Sequence, residues 1–211
     1  MESFDVASFA TWLVAFLFST TCHEAAHAVV GRWGGDRTAE KQATLNPLPH
    51  LRREPIGMVV MPLVTGMMSH GSSLIGWASA PYDPEWARRR PGWAALMSAA
   101  GPAANVVLAA LCIAALRLLR GASIPYAAAY LLLVGACLNA LLFVFNLIPL
   151  PPLDGAGVVR GLGGPLAAAL DGLRRSPFAS IAAFFAAFML FQWVAPHVVN
   201  VVVALVVGGA R

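Results

Sequence analysis

Charged side chains divide this chain into long uncharged stretches. No Asp, Glu, Lys or Arg occurs over 6–21, 55–82, 91–116, 121–153 or 176–210. Apolar runs of about 18 or more residues match the length of helix that crosses a hydrocarbon layer roughly 30 Å thick. Four runs predict spanning helices, at about 7–31, 92–119, 126–148 and 177–208. The last contains Pro196, which predicts either one broken helix or two shorter pieces. The fifth run, 55–82, reads differently. Pro62, Gly66, His70, Gly71, Ser72, Ser73 and Gly76 interrupt it between short apolar stretches such as Met58-Val59-Val60-Met61. That density of Gly, Pro and Ser argues against a lipid-exposed helix. It predicts a strand-like or re-entrant element sheltered by protein.

Composition sharpens this picture. Of 211 residues, 59% are hydrophobic and 11% charged, too few charges for a water-soluble globule. The reading is an all-α polytopic membrane protein. The net charge of +4 comes from 13 Arg and one Lys, scattered through short connections, which argues against nucleic acid. If the N-terminus is outside and 55–82 does not cross, eleven basic residues fall on the cytoplasmic side. Only Arg117, Arg120 and Arg211 face away. A crossing at 55–82 lowers the split to eight against six, so the positive-inside bias favours the non-crossing arrangement. Glu2 and Asp5 precede the first apolar run and no basic residue precedes Arg32, so the basic leader of a signal peptide is missing and the N-terminus is expected to be retained. Cys22, Cys112 and Cys137 sit in apolar surroundings and read as packing residues. The tryptophans mostly flank apolar runs, as interfacial anchors do. The 160–175 stretch reads as a short amphipathic surface helix or a solvated connection.

The chemistry lies inside the first span, in His23-Glu24-Ala25-Ala26-His27. On a helix, positions four apart share a face, so both imidazoles can reach one metal ion with Glu24 beside them. An intramembrane carboxylate costs on the order of 2.5 to 3.5 kcal/mol on insertion scales, which makes Glu24 conspicuous. Two histidines leave a zinc site one protein ligand short. Asp154 is the candidate third ligand, at the end of Asn146-Leu147-Ile148-Pro149-Leu150-Pro151-Pro152-Leu153-Asp154-Gly155. Three prolines in four positions cannot continue a helix, so the chain is expected to leave Phe145-Asn146 extended and to turn tightly at Gly155. His50, Glu54, His70 and His197 are the rival ligands.

Together these motifs resemble the site-2 protease family of intramembrane zinc metalloproteases. The likeness covers roughly 20–160. It includes Asn46-Pro47-Leu48-Pro49-His50, Gly76-Trp77-Ala78-Ser79-Ala80-Pro81, Ala100-Gly101-Pro102-Ala103-Ala104-Asn105, and Asn139 seven residues before Asn146. The resemblance implies His23, His27 and Asp154 as ligands of one Zn2+ and Glu24 as catalytic base. It also implies a three-helix core, with strand-like structure between the first two core helices. The PDZ insertion and CBS appendage of larger members are not expected here, and the segment after Gly155 carries no matching motif.

On this reading the chain is one membrane domain, with the metalloprotease core at 1–160 and a C-terminal connection and transmembrane segment at 161–211. Asn146 is the candidate oxyanion donor, where resemblance and position agree. Asn105 and Asn139 are expected to hydrogen-bond between helices. Expected partners are membrane-anchored protein substrates and the lipid bilayer, with cleavage toward the cytoplasmic face of a bacterial plasma membrane. An edge offered by 55–82, around Val59 and Val60, would pair with an unwound substrate segment. Two alternatives use the same residues: a metal-ion transporter and a catalytically inactive membrane scaffold.

Overall fold

The structure is a computed structural model and describes residues 3–208; Glu2 and Arg211, two of the charges weighed above, lie outside the described residues. Helix α1 (Val6–Trp33) starts at Asp5, whose side chain accepts from the Ser8 N–H at 3.0 Å. Beyond it come a short turn of 3-10 helix and α2 (Leu48–Arg53), then one turn of wider π geometry (Ile56–Val60) that runs into α3 (Met61–Met68). The chain continues through α4 (Pro84–Arg89), α5 (Pro91–Leu118), α6 (Tyr126–Asn146), α7 (Asp154–Leu162), α8 (Gly164–Arg175) and α9 (Pro177–Val207). Helices α1, α5, α6 and α9 are long and apolar enough to cross a membrane, within a few residues of the predicted spans. This is a polytopic all-α membrane protein. Pro196 lies inside α9 without ending it, so the last apolar run is one helix of spanning length and not two shorter pieces.

Side-chain bonds at the helix ends give the directions. The start of α5 meets the end of α1, where Trp86 Nε1 and Arg90 Nη1 donate to the Gly34 carbonyl at 2.8 and 2.9 Å. The start of α6 meets the start of α1 through Ser8 and Tyr130 hydroxyls 2.8 Å apart. Near the end of α9, the Val206 carbonyl accepts from Arg120 Nη2 just past α5. The four helices therefore alternate in direction, and the connections 34–90 and 147–176 gather at one end. Phe16, Ala15, Leu74, Val134 and Leu138 form one core cluster, and Ala136, Cys137 and Val202 join α6 to α9. The outer face of α9 exposes Phe178, Phe185, Met189 and Trp193, as a lipid-facing surface does.

The 55–82 segment enters and returns at the same end, which is the re-entrant alternative. Its first limb is helical, through Ile56–Val60 and α3. It reverses beside the start of α1, where the Asp5 N–H donates to the His70 carbonyl at 3.0 Å. The return limb is extended and reaches Asp83, whose N–H donates to Asp36 Oδ2 at 2.9 Å just beyond α1. No strand occurs among the described residues, which corrects the strand-like expectation: Val59 and Val60 lie in a helical turn. The physical reason is that the glycines here serve close approach. A Cβ at Gly66 would strike the Phe9 ring, and one at Gly76 would strike Phe16. The helical limb can therefore lie flat against α1, with its backbone bonds satisfied internally.

Two smaller expectations also change. Trp86 is buried under Gly34 and is no interfacial anchor. The 160–175 stretch is split between α7 and α8 at Gly163 and Gly164, both at positive φ (75° and 89°), where only glycine is comfortable. Arg160 Nε pairs with Asp171 at 2.5 Å and the Arg174 guanidinium lies over the Tyr82 ring, so these two cations hold α7 and α8 against their neighbours.

Candidate metal centre

Two antiparallel stripes at helical spacing build the site. On α1, Ser19, His23 and His27 stand four residues apart; on α5, Asn105, Gly101 and Met97 run the other way, also four apart. His23 faces Asn105, with Nδ1 2.5 Å from Oδ1, and His27 faces Met97, with Nδ1 2.6 Å from the main-chain carbonyl. Gly101 sits between the two rings, with no side chain to separate them. Pro102 has no N–H for the Ser98 carbonyl, which loosens the α5 ladder at the turn where Met97 serves His27.

Asp154 arrives from α7, where it is the first helical residue. Its Oδ2 is 3.1 Å from His23 Nε2 and its Oδ1 is 3.4 Å from His27 Nε2. The two Nε2 atoms are 2.9 Å apart. The loop that delivers Asp154 differs from expectation. Past Asn146 the chain is not extended: Leu147, Ile148, Leu150 and Leu153 donate back over two to four residues in successive tight turns. Gly155 lies inside α7 and makes no turn of its own; a Cβ there would press on the Leu147 and Ile148 carbonyls.

The donor set fits a metal ion on three counts. Both Nδ1 atoms face oxygen acceptors, so in neutral imidazoles the Nε2 atoms carry lone pairs that point at each other and at a carboxylate. That is a repulsive arrangement which a cation relieves. Asp154 Oδ2, despite its nearness to His23, is a buried oxygen with no hydrogen-bond partner, as is Glu24 Oε2. A Cβ built at Gly101 would also fall 2.5 Å from His23 Nε2, so glycine keeps that space clear. Imidazole and carboxylate together suit zinc, which takes three protein ligands in open sites. His23, His27 and Asp154 form a metal-capable group, with their donor atoms within 4.8 Å of one another.

The other candidates lie elsewhere. His50 is buried but bonds the Thr44 carbonyl at 3.1 Å, and Glu54 accepts from the Ser79 hydroxyl. His70 is in the turn beside Asp5, at the opposite end of α1, and His197 is exposed on α9. Asn146 ends α6 and donates from Nδ2 to the Leu142 carbonyl of its own helix at 2.9 Å. Met97 escaped the sequence reading, and Gly101 entered it only within the Ala100–Asn105 motif, although their spacing of four with Asn105 was there to be seen.

One relative, named "Putative zinc metalloprotease YwhC", from Bacillus subtilis (strain 168), is 35% identical to the chain over 162 residues, which is 72% of this chain and 69% of that protein. No protein-family model and no solved structure matches the chain.

Proposed function

The chain belongs to the family of the Bacillus subtilis protein YwhC, and on that premise we propose that it is a zinc metalloendopeptidase of the site-2 type, hydrolysing peptide bonds in or near transmembrane segments of membrane-anchored proteins. The observation that carries the reading is a three-donor metal group buried among spanning helices, with an unpartnered carboxylate oxygen of Glu24 beside it. His23, His27 and Asp154 would hold the zinc. When bound, zinc supplies Lewis acidity, which makes water acidic near neutral pH and polarises a peptide carbonyl. Glu24, next to His23 in sequence and 4% exposed, is the base that takes the proton from attacking water and returns it to the leaving amine. Asn146 uses one amide hydrogen on Leu142 and keeps a second, which we assign to the developing oxyanion.

A helical substrate hides its carbonyls in its own hydrogen bonds, so cleavage needs local unwinding and new backbone partners. The extended return limb is suited to supply them. Its Ile75 N–H donates to Thr65 Oγ1 at 2.9 Å and its Trp77 N–H to the Gly57 carbonyl at 3.1 Å. The alternation of extended chain turns the Gly76 and Ala78 N–H groups the other way. The edge expected around Val59 and Val60 is thus reassigned to this limb. We also assign the metal end to the cytoplasmic face of a bacterial plasma membrane, because most basic residues gather in the connections there.

The test uses zinc-loaded protein in liposomes with a reporter anchored by one transmembrane segment. Wild type is expected to cleave the reporter, and Glu24→Gln to keep zinc while losing cleavage. Equal cleavage by Glu24→Gln would refute the assignment of the base. Zinc flux across the liposome without cleavage would replace protease by transporter.

A further inference from the structure

Behind the metal donors lies a layer of polar side chains whose orientation can be read link by link, starting from a group that cannot turn. The Gly135 carbonyl, one helical turn before Asn139, can only accept. It takes a hydrogen from Asn139 Nδ2 at 2.8 Å, and Ser19 Oγ takes the other at 2.8 Å. With both amide hydrogens placed, Asn139 presents Oδ1, which accepts from Asn105 Nδ2 at 2.8 Å. Asn105 in turn presents Oδ1 to His23 Nδ1 at 2.5 Å. An amide oxygen has no proton to offer, so the His23 proton sits on Nδ1 and Nε2 is left with its lone pair.

We propose that Asn105 and Asn139 are positioning residues that hold His23 in its metal-ligating tautomer, through an amide relay anchored on the Gly135 carbonyl. The inference rests on the zinc reading above. Helix-to-helix adhesion alone does not require this polarity, since an Asn pair joins two helices equally well with both amides reversed. Here α6 imposes the direction, and α5 passes it to α1. The relay is wholly buried: Asn105 is 0%, Asn139 2% and Ser19 1% exposed, so water cannot substitute for a missing link. His27 needs no such device, because its Nδ1 faces the Met97 main-chain carbonyl, which has one polarity only. Neutral amides suit this depth, where a carboxylate in the same role would add a third beside Glu24 and Asp154.

Two measurements test the relay. Nitrogen NMR of 15N-histidine-labelled, metal-free wild type in detergent is expected to report His23 protonated at Nδ1; a ring protonated at Nε2 with Nδ1 bare overturns the proposal without any variant. Zinc titration is expected to show the dissociation constant rising about 10- to 100-fold in Asn105→Leu. Asn105→Asp is expected to recover only part of that loss, because a carboxylate still accepts from Nδ1 but has no hydrogen for Asn139 Oδ1. Asn139→Leu should fall between wild type and Asn105→Leu, since a freed Asn105 amide can reverse. A lower melting temperature in Asn105→Leu with zinc affinity within about twofold of wild type would mean simple adhesion, and would overturn the relay. Wild type that binds zinc but cleaves no anchored reporter would sink the protease reading and leave the relay standing. Wild type without zinc affinity would sink the metal reading, and the nitrogen spectrum alone would then decide the tautomer.

Discussion

Gly101→Ala adds one methyl group at the point where α5 crosses the histidine pair. The built Cβ lies 2.5 Å from His23 Nε2 and 2.6 Å from His23 Cε1, and nearer still to His27 Nε2. Carbon and nitrogen do not approach below about 3 Å without bonding, so something must give by the better part of an ångström. If the rings swing aside, the Nδ1 bonds to Asn105 and Met97 stretch, at about 0.5–1.5 kcal/mol each. If the helices part instead, the cost is that of an overpacked core, about 1–3 kcal/mol. Either route gives a loss of stability of about 1–3 kcal/mol, and both ruin the convergence of the two Nε2 atoms. Zinc content of purified protein, measured by mass spectrometry at equal protein concentration, should fall from near one per chain to a small fraction. Gly92→Ala is the control, on the same helix with open space around its Cβ; it should leave zinc unchanged. Gly101→Ala that holds zinc with wild-type affinity would refute the placement of the metal between these rings.

Asp154→Ala should lose most of its zinc. The rise in melting temperature on adding zinc, equivalent to about 2.7 kcal/mol at a hundredfold excess over the dissociation constant, should vanish with it; an unchanged rise would send the search for the third ligand elsewhere. Gly155→Ala would place a methyl 2.6 Å from the Leu147 carbonyl carbon and 2.7 Å from the Ile148 oxygen. Backbone cannot step aside there, so the expected cost is about 1–3 kcal/mol with zinc binding impaired, whereas Gly172→Ala, on open helix, should lose neither. Trp86→Phe removes one donor from the Gly34 carbonyl, but Arg90 still donates at 2.9 Å, so a loss of only about 1 kcal/mol is expected by thermal melting. Trp86→Ala should cost about 3–5 kcal/mol. Equal losses in the two would show that the indole N–H matters more than the buried ring.

The four spans were legible because absence of charge over some twenty residues has one main physical meaning in a chain this apolar. The histidine pair was legible for a similar reason, since spacing of four on a helix converts directly into a shared face. Asp154 could be picked out because the prolines before it had to end α6. The path of that loop was not legible. Proline states where a helix stops, while the series of tight turns from Leu147 to Leu153 depends on where α7 docks against α5. Glycine misled the reading twice. At Gly66 and Gly76 it suggested a broken, strand-like limb, and at Gly155 a turn, yet all three are places where another group presses on the backbone. Sequence shows that a side chain is missing and cannot show what lies in the space it leaves. The same limit hid the two imidazoles that fill the space beside Gly101.

The distribution of unmet polar groups argues that this region is built for chemistry more than for stability. Polar side chains elsewhere in α1 are satisfied: Ser8 by Tyr130, Thr11 by the Ala7 carbonyl, Thr20 by the Phe16 carbonyl. Among the described residues, the buried side-chain atoms without a partner are Thr21 Oγ1, Glu24 Oε2 and Asp154 Oδ2. Each such group costs about 1–3 kcal/mol, and more where it is charged. Two belong to the metal group or the carboxylate beside it, and Thr21 stands one helical turn before Glu24. A fold that satisfies its polar groups along the rest of this span and leaves them free here has kept them for something polar that must come and go. The direction of entry follows from exposure. The side chains of His23 and His27 are 8% and 6% exposed, and that of Asp154 is 21%. On the proposed reading, water and substrate are therefore expected to approach from the α6–α7 connection, past Asp154, the least enclosed of the three candidate ligands.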